Sequence, residues 1–251
     1  SFSDSGSIGG NTAIDLIAGD YTLTVNAIGA SVGSYSFRLL DLANATSLIP
    51  GTPVSGSLTP GNSTNMYQFT AAAGDKFYFD QLSQSSGNVY WRLLDPYGRL
   101  IFGPNGFSDV DVTNLSIAGR YTFLIEGYVI NAVTPVDYSF NVVPVVNDVA
   151  AMTLGTTVNG SIASAGQQDR FTFTVAANSR VYFDSLTNNS NFGWSLTGAR
   201  GIEATRNFSF SDSGSIGGNT TIDLIAGDYT LTIDAGGAAV GDYSFRLLDL
   251  A

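Results

Sequence analysis

The last 43 residues of this chain are nearly its first 43 over again. Ser209–Ala251 repeats Ser1–Ala43 at an offset of 208, with 37 positions identical. Only Ala13/Thr221, Val25/Ile233, Asn26/Asp234, Ile28/Gly236, Ser31/Ala239 and Ser34/Asp242 differ. Self-similarity at a fixed offset marks an array of structural units, and it restricts the fold before any single residue is read. Half the offset is also a period. Gly51–Leu58 answers Gly155–Ile162, Tyr67–Thr70 answers Phe171–Thr174, and Phe77–Leu82 answers Val181–Leu186, each 104 residues on. Trp91 answers Trp194, and Tyr35-Ser-Phe37, Tyr138-Ser-Phe140 and Tyr243-Ser-Phe245 close three units. The chain therefore reads as the C-terminal half of a β-sandwich repeat (1–43), a complete β-sandwich repeat (44–146) and a second complete repeat (147–251).

Within each unit the apolar residues alternate. Tyr67 and Phe69 fall on one face of 65–71 and Gln68 and Thr70 on the other, the period of a half-buried strand. The same reading predicts strands over 54–58, 76–82, 89–94, 100–102, 110–115, 119–127 and 137–142. In the third unit it predicts them near 157–162, 169–175, 179–186, 192–197, 206–211, 220–225, 228–235 and 241–249. Thr59-Pro-Gly-Asn62, Ala73-Gly-Asp75 and Asp95-Pro-Tyr-Gly98 carry turn chemistry. Residues 44–50 read as a linker and 197–205 as an irregular loop. Residues 1–43 would hold about four strands. No stretch keeps a 3.6-residue period. The prediction is an all-β chain: tandem antiparallel β-sandwich domains of about 104 residues, wired as jelly rolls or Greek keys.

Ala-Gly-x-Tyr recurs with Tyr21, Tyr121 and Tyr229. The preceding Gly19, Gly119 and Gly227 sit where the chain turns sharply into a strand, a place that favours positive φ. Each Tyr either fills the core as a plain aromatic or also returns its hydroxyl to the incoming loop as a tyrosine corner.

The order of these pieces resembles the bacterial pre-peptidase C-terminal domain family. The resemblance rests on Gly51–Leu58, Tyr67–Thr70, Ala73–Asp80, Trp91–Gly98 and Leu115–Phe123, and it extends to the third unit and the half unit. It implies a jelly-roll sandwich with no catalytic residues. It also implies a place beside secreted peptidases or in large extracellular, adhesin-like proteins. Some members bind calcium through acidic residues near the domain start. Residues 44–52 carry no such residue, and 147–155 carry only Asp148.

Composition narrows the chemistry. The chain has no His and no Cys, so Ser-His-Asp and Cys-His constellations, thiolate metal sites and disulfides are absent. Its two glutamates, Glu126 and Glu203, lie in different units and offer no glycosidase pair. A net charge of −11 disfavours nucleic acid and anionic lipid as partners, and no 18-residue apolar run suggests membrane insertion. Asp4, Asp109, Asp111 and Asp212 sit in oxygen-rich loops that would suit calcium, or are simply solvated turn residues. Tyr90-Trp91 and Phe192-Gly-Trp194 could stack on sugars, or be core. Asn44, Asn62, Asn114, Asn159, Asn188, Asn207 and Asn219 head Asn-x-Ser/Thr sequons.

No catalytic, cofactor or metal residue is assigned, and calcium is the one ion considered. The expectation is a non-enzymatic structural repeat segment of a long extracellular or cell-surface protein: a fibre, stalk or surface layer that self-associates or contacts neighbouring repeats. The alternative is a carbohydrate- or surface-binding adhesin, or an accessory module of a secreted hydrolase, with glycans as partners. Residues 1–43 alone would expose Leu16, Tyr21, Leu23, Tyr35 and Phe37. They would need an equivalent of residues 147–208 from the same chain or a neighbouring molecule.

Overall fold

Period-two burial, set by alternating large apolar residues, closes the strands into two pairs of sheets. The computed structural model describes residues 13–85, 87–129, 134–208, 212 and 220–250. The first set of strands is β1 (Thr46–Ser47), β2 (Val54–Leu58), β3 (Thr64–Ala71), β4 (Asp75–Gln84), β5 (Val89–Leu94), β6 (Leu100–Gly106), β7 (Val110–Leu115), β8 (Gly119–Gly127) and β9 (Val136–Pro144). The second is β10 (Asp148–Ala151), β11 (Val158–Ile162), β12 (Gln168–Val175), β13 (Ser179–Ser185), β14 (Asn189–Gly198), β15 (Gly201–Phe208), β16 (Ile222–Leu224), β17 (Gly227–Ala235) and β18 (Gly241–Asp249).

The sheet orders are β2-β9-β4-β7 facing β1-β3-β8-β5-β6, and β11-β18-β13-β16 facing β10-β12-β17-β14-β15. In each set of eight antiparallel strands, successive strands cross between the two sheets, except that β5–β6 and β14–β15 pair within one sheet, which is the order of a jelly roll. Both sets share this wiring, strand for strand. One core holds Phe69, Phe79, Trp91, Phe123 and Phe140 among others; the second holds Phe173, Phe183, Trp194, Leu231 and Phe245. Full burial of such side chains stabilises by about 1.5–3 kcal/mol each before entropy is counted.

Several features depart from the expectation. Residues 44–50 are not a plain linker: Thr46 and Ser47 pair in parallel with Tyr67 and Gln68, and Gln68 Nε2 donates to the Ala45 carbonyl at 2.6 Å. The matching β10 pairs in parallel with β12 over four residues. Residues 197–205 are not an irregular loop either. β14 and β15 run up to Gly198 and Gly201 and are joined by Ala199 and Arg200, with Gly201 at φ +91°. A glycine there relieves the steric cost that any side chain would meet.

Residues 13–41 contain no strand, although their sequence is almost that of 221–249. The strand pairing explains this. β16 bonds to β13, β17 to β12 and β14, and β18 to β11 and β13. The three C-terminal strands never bond to one another, so a segment of their sequence has no ladder to join without the preceding half of a sandwich. Tyr21 is 57% exposed where Tyr229 is 2% exposed. A single 3₁₀ turn, Leu42–Asn44, follows, capped by Asp41.

Tyr78, Val145 and Ala165 form a small third cluster with Val112 and Val143. It joins the sheet of β4, β7 and β9 to the turn before β12. Gly166 in that turn has φ +75°, and a Cβ there would lie 2.5 Å from Val112 Cγ2.

Candidate functional site

The chemistry-bearing side chains are spread over the two sandwiches, and most are consumed by internal bonds. Asp109 accepts from the Tyr78 hydroxyl at 2.8 Å and from the Gln81 backbone N–H at 2.9 Å. Asp111 accepts from the Val112 N–H. Asp212 accepts from the Tyr182 hydroxyl at 3.1 Å, the counterpart of the Tyr78–Asp109 bond. Burial first and the Asp109 bond second push the Tyr78 hydroxyl well above its usual range. Asp109 therefore ties the turn before β7 to β4, and Asp212 makes the matching bond to β13. Asp4 lies outside the described residues. Asp148 is exposed on β10, 3.4 Å from Gln167 Nε2. Among the described residues no group of three acidic side chains converges to hold a metal ion.

Trp91 and Trp194 are both buried, so neither indole face is open to a sugar. Trp91 packs edge-on against Phe107 with ring centroids 4.7 Å apart, and Trp194 stacks on Phe183 at 4.2 Å. Phe192 is buried as well, and Tyr90 tilts against Tyr128 at 6.1 Å. Glu126 and Glu203 remain in separate sandwiches. The Arg92 Nε donates to Glu126 Oε2 at 2.7 Å with both side chains buried, whereas Glu203 meets Arg200 at the surface. Of the described sequon residues, Asn44, Asn114, Asn159, Asn188 and Asn207 are exposed, while Asn62 is half-buried.

Two hydroxyl networks close the cores. Gly56 and Gly160 lie opposite Tyr138 and Tyr243 in their ladders. A Cβ on Gly160 would come within 2.2 Å of the Tyr243 hydroxyl oxygen, so the ring covers the glycine. The Tyr138 hydroxyl lies 2.6 Å from that of Tyr67 and accepts from Asn65 Nδ2 at 2.7 Å. The Tyr243 hydroxyl donates to buried Asp169, which also accepts from Gln167 Nε2 at 2.8 Å.

The tyrosine corners are present at all three places. Tyr21, Tyr121 and Tyr229 donate to the carbonyls of Ile17, Ile117 and Ile225 at 2.7, 2.7 and 2.9 Å. Gly119 and Gly227 have the positive φ expected, +147° and +153°; Gly19 does not. Removing one hydroxyl by Tyr229→Phe should cost about 1 kcal/mol in the third sandwich, the net worth of one hydrogen bond. Chemical denaturation of the variant would read it as a lower midpoint at unchanged slope.

Asp95 caps the turn before β6. Burial raises its pKa, but the Arg99 guanidinium and the backbone N–H groups of Arg99 and Tyr97 outweigh that and hold the carboxyl below its usual range. A depressed folded-state pKa contributes stability above the unfolded value of about 3.9, and that contribution is lost as pH falls through the folded value. Wild type should therefore lose stability relative to Asp95→Asn as pH drops from about 5 to 2; paired urea titrations would show it.

Open depressions exist but carry no reactive group. One of about 380 Å³ is lined by Arg180, Arg200 and Asp223, whose charges are paired with Asp223 and Glu203. Another, of about 570 Å³, is lined by Asn159, Thr187, Asp242 and Tyr243.

No protein-family profile matches the chain, and no curated protein sequence matches it. Among solved structures, the pre-peptidase C-terminal domain of a Bacillus anthracis collagenase aligns at 18% identity and a TM-score of 0.32, over 41% of this chain and 96% of that one. A protein of Eubacterium rectale assigned as secreted aligns at 11% identity and 0.27, over 79% and 74%. The CUB1-EGF-CUB2 domains of human MASP-1/3 align at 8% and 0.24, over 77% and 99%. The fold assignment rests on the strand order of this chain and takes no support from these scores. No helix of the described residues is long and apolar enough to cross a membrane.

Three of these arrangements were not legible in the residues: the buried Arg92–Glu126 pair, the Tyr–Asp bonds to Asp109 and Asp212, and the covered glycines. The pairing of Tyr with Gly at matching repeat positions was the one available signal for the last.

Proposed function

We propose that this chain is a non-catalytic structural segment of a long extracellular or cell-surface repeat protein, forming a fibre, stalk or surface layer. The units are the half repeat 1–43 and the whole repeats 44–146 and 147–251. The observation that carries this reading is the near identity of residues 14–41 and 222–249, on either side of a diverged sandwich of the same wiring. Duplication lengthens a rod at little cost, because each closed sandwich brings its own core.

The short step from Pro144 to Asp148 between sandwiches supports a stalk, as does the apolar contact of Tyr78, Val112 and Val145 with Ala165. The glycan-binding alternative loses its aromatic platforms, since Trp91, Phe192 and Trp194 are core residues.

Negative-stain electron microscopy of the native surface protein tests the reading. Beaded rods with a regular axial repeat are expected. A single globular particle, or specific retention on an insoluble polysaccharide with no rods, would overturn it.

A further inference from the structure

The two sandwiches meet at a narrow seam. Tyr78, Val112, Val143 and Val145, on and just after β4, β7 and β9, pack against Ala165 in the turn before β12. The fit is close: a Cβ on Gly166 would lie 2.5 Å from Val112 Cγ2 and 3.3 Å from the Tyr78 side chain. The turn after β17 approaches as well, where a Cβ on Gly237 would lie 3.8 Å from the Tyr78 hydroxyl. Interfaces of a few side chains between domains permit relative motion unless they are large and apolar. A modest change of charge beside this one can therefore shift it.

Carboxylates from both sandwiches stand at its edge. Asp111 precedes Val112 on β7 and is exposed. Asp234, exposed near the end of β17, accepts from Gln168 Nε2 at 3.1 Å, and Gln168 follows Gly166 by two residues. Asp80 and Asp109 lie further along the middle sandwich, where Asp109 is held by Tyr78 and Gln81. Their mutual repulsion is the same with the seam open or shut, since both belong to one sandwich. The cations on the elements that meet here are Lys76 on β4 and Arg170 on β12. Arg170 Nη2 is turned to Gln168 Oε1 at 3.1 Å. Asp169 faces the core with Tyr243, and Asp148 on β10 is turned to Gln167. β14, on the far side of β17, carries no charged residue.

We propose that this seam is a proton-set joint: it clamps the two sandwiches in one orientation when Asp234 is protonated and lets them swing when Asp234 ionises opposite Asp111. Partial loss of solvent, joined by Asp111 across the seam, outweighs the Gln168 and Ala235 hydrogen bonds and holds the Asp234 carboxyl above its usual range. Opening the seam takes Asp111 away and lets water return. Closure is then helped most below the ordinary carboxyl value of about 3.9, and that help is lost as pH rises through the raised value. The joint concerns one junction and stands whether or not the chain belongs to a stalk.

The chain has no cysteine, so spin labels can be placed at will in the full chain. Ser55→Cys and Thr197→Cys are exposed positions, one on each sandwich, and double electron–electron resonance reads the distance between them. A single narrow distance is expected near about pH 4.5 and a broader distribution with a longer tail near about pH 8. Asp234→Asn and, separately, Asp111→Asn should each keep the distance narrow at both. Salt at about 1 M, where the screening length is about 3 Å, should narrow the high-pH distribution of the wild-type pair. Labels at Ser161→Cys and Thr197→Cys, both within the third sandwich, should read the same distance throughout. A wild-type distribution indifferent to pH, broadening that survives Asp234→Asn, or a matching change in the pair within one sandwich would each overturn the proposal.

Discussion

Arg92→Met is expected to destabilise the middle sandwich by about 3–5 kcal/mol, because it strips a buried carboxylate of its guanidinium. Arg92 and Glu126 lie on the outer face of β5 and β8, with side chains 2% and 6% exposed. Leu94, Thr122 and Leu124 on the same strands are buried too, so water is a poor substitute for the lost charge. The double variant Arg92→Met/Glu126→Leu should recover most of the loss, since well-packed apolar replacements of buried ion pairs are often neutral or better. A double-mutant cycle by urea denaturation reads both outcomes. The third sandwich has Ser195 and Asp234 at these places, and there the face is partly open. The outer face is thus where the two sandwiches have diverged, while the inner faces keep the same aromatic plan.

Trp91→Ala should cost the middle sandwich about 3–5 kcal/mol, the range for emptying an aromatic site in a close-packed core. The ring touches Phe102, Phe107 and Phe123, and no backbone rearrangement can refill that volume cheaply. Trp91→Phe should be far milder. The indole N–H has no acceptor among the described residues, so its loss forfeits packing volume but no hydrogen bond. The pair of variants separates the two readings of this residue. A sugar platform would lose ligand binding at full stability; a core residue loses stability first. Differential scanning calorimetry would read the expected drop as a lower-temperature transition for one of the two sandwiches.

How much of this was legible in the sequence depended on where the information was stored. Strands such as Val54–Leu58, Val89–Leu94 and Gly119–Gly127 were readable because alternation and flanking turns are local. Their number and spacing pointed to an antiparallel sandwich and left jelly-roll and Greek-key wiring open. β1 and β10 escaped because they are short, exposed edge strands held by parallel pairing to β3 and β12, a non-local cause. The hairpin at 198–201 escaped because its glycines resembled loop composition.

Arg92 and Glu126 stand 34 positions apart in the chain, and nothing local announces that they meet. The sharpest lesson comes from residues 14–41 and 222–249. Nearly one sequence forms three strands in one place and none in the other. Strand propensity needs a partner edge to be expressed, and here the partners of the three strands all come from residues 158–198. The candidate site was legible mainly by exclusion, since lack of His and Cys removes reaction classes without naming a ligand.

The proposed array requires about a hundred residues to close into one mechanically independent sandwich, repeated along the chain. Pulling single molecules end to end measures this directly. Two unfolding events are predicted for this chain, each lengthening it by roughly 340–370 Å less the folded end-to-end distance, at about 3.3–3.6 Å per residue for about 104 residues. One event of double length, or a series of unequal short ones, would contradict it.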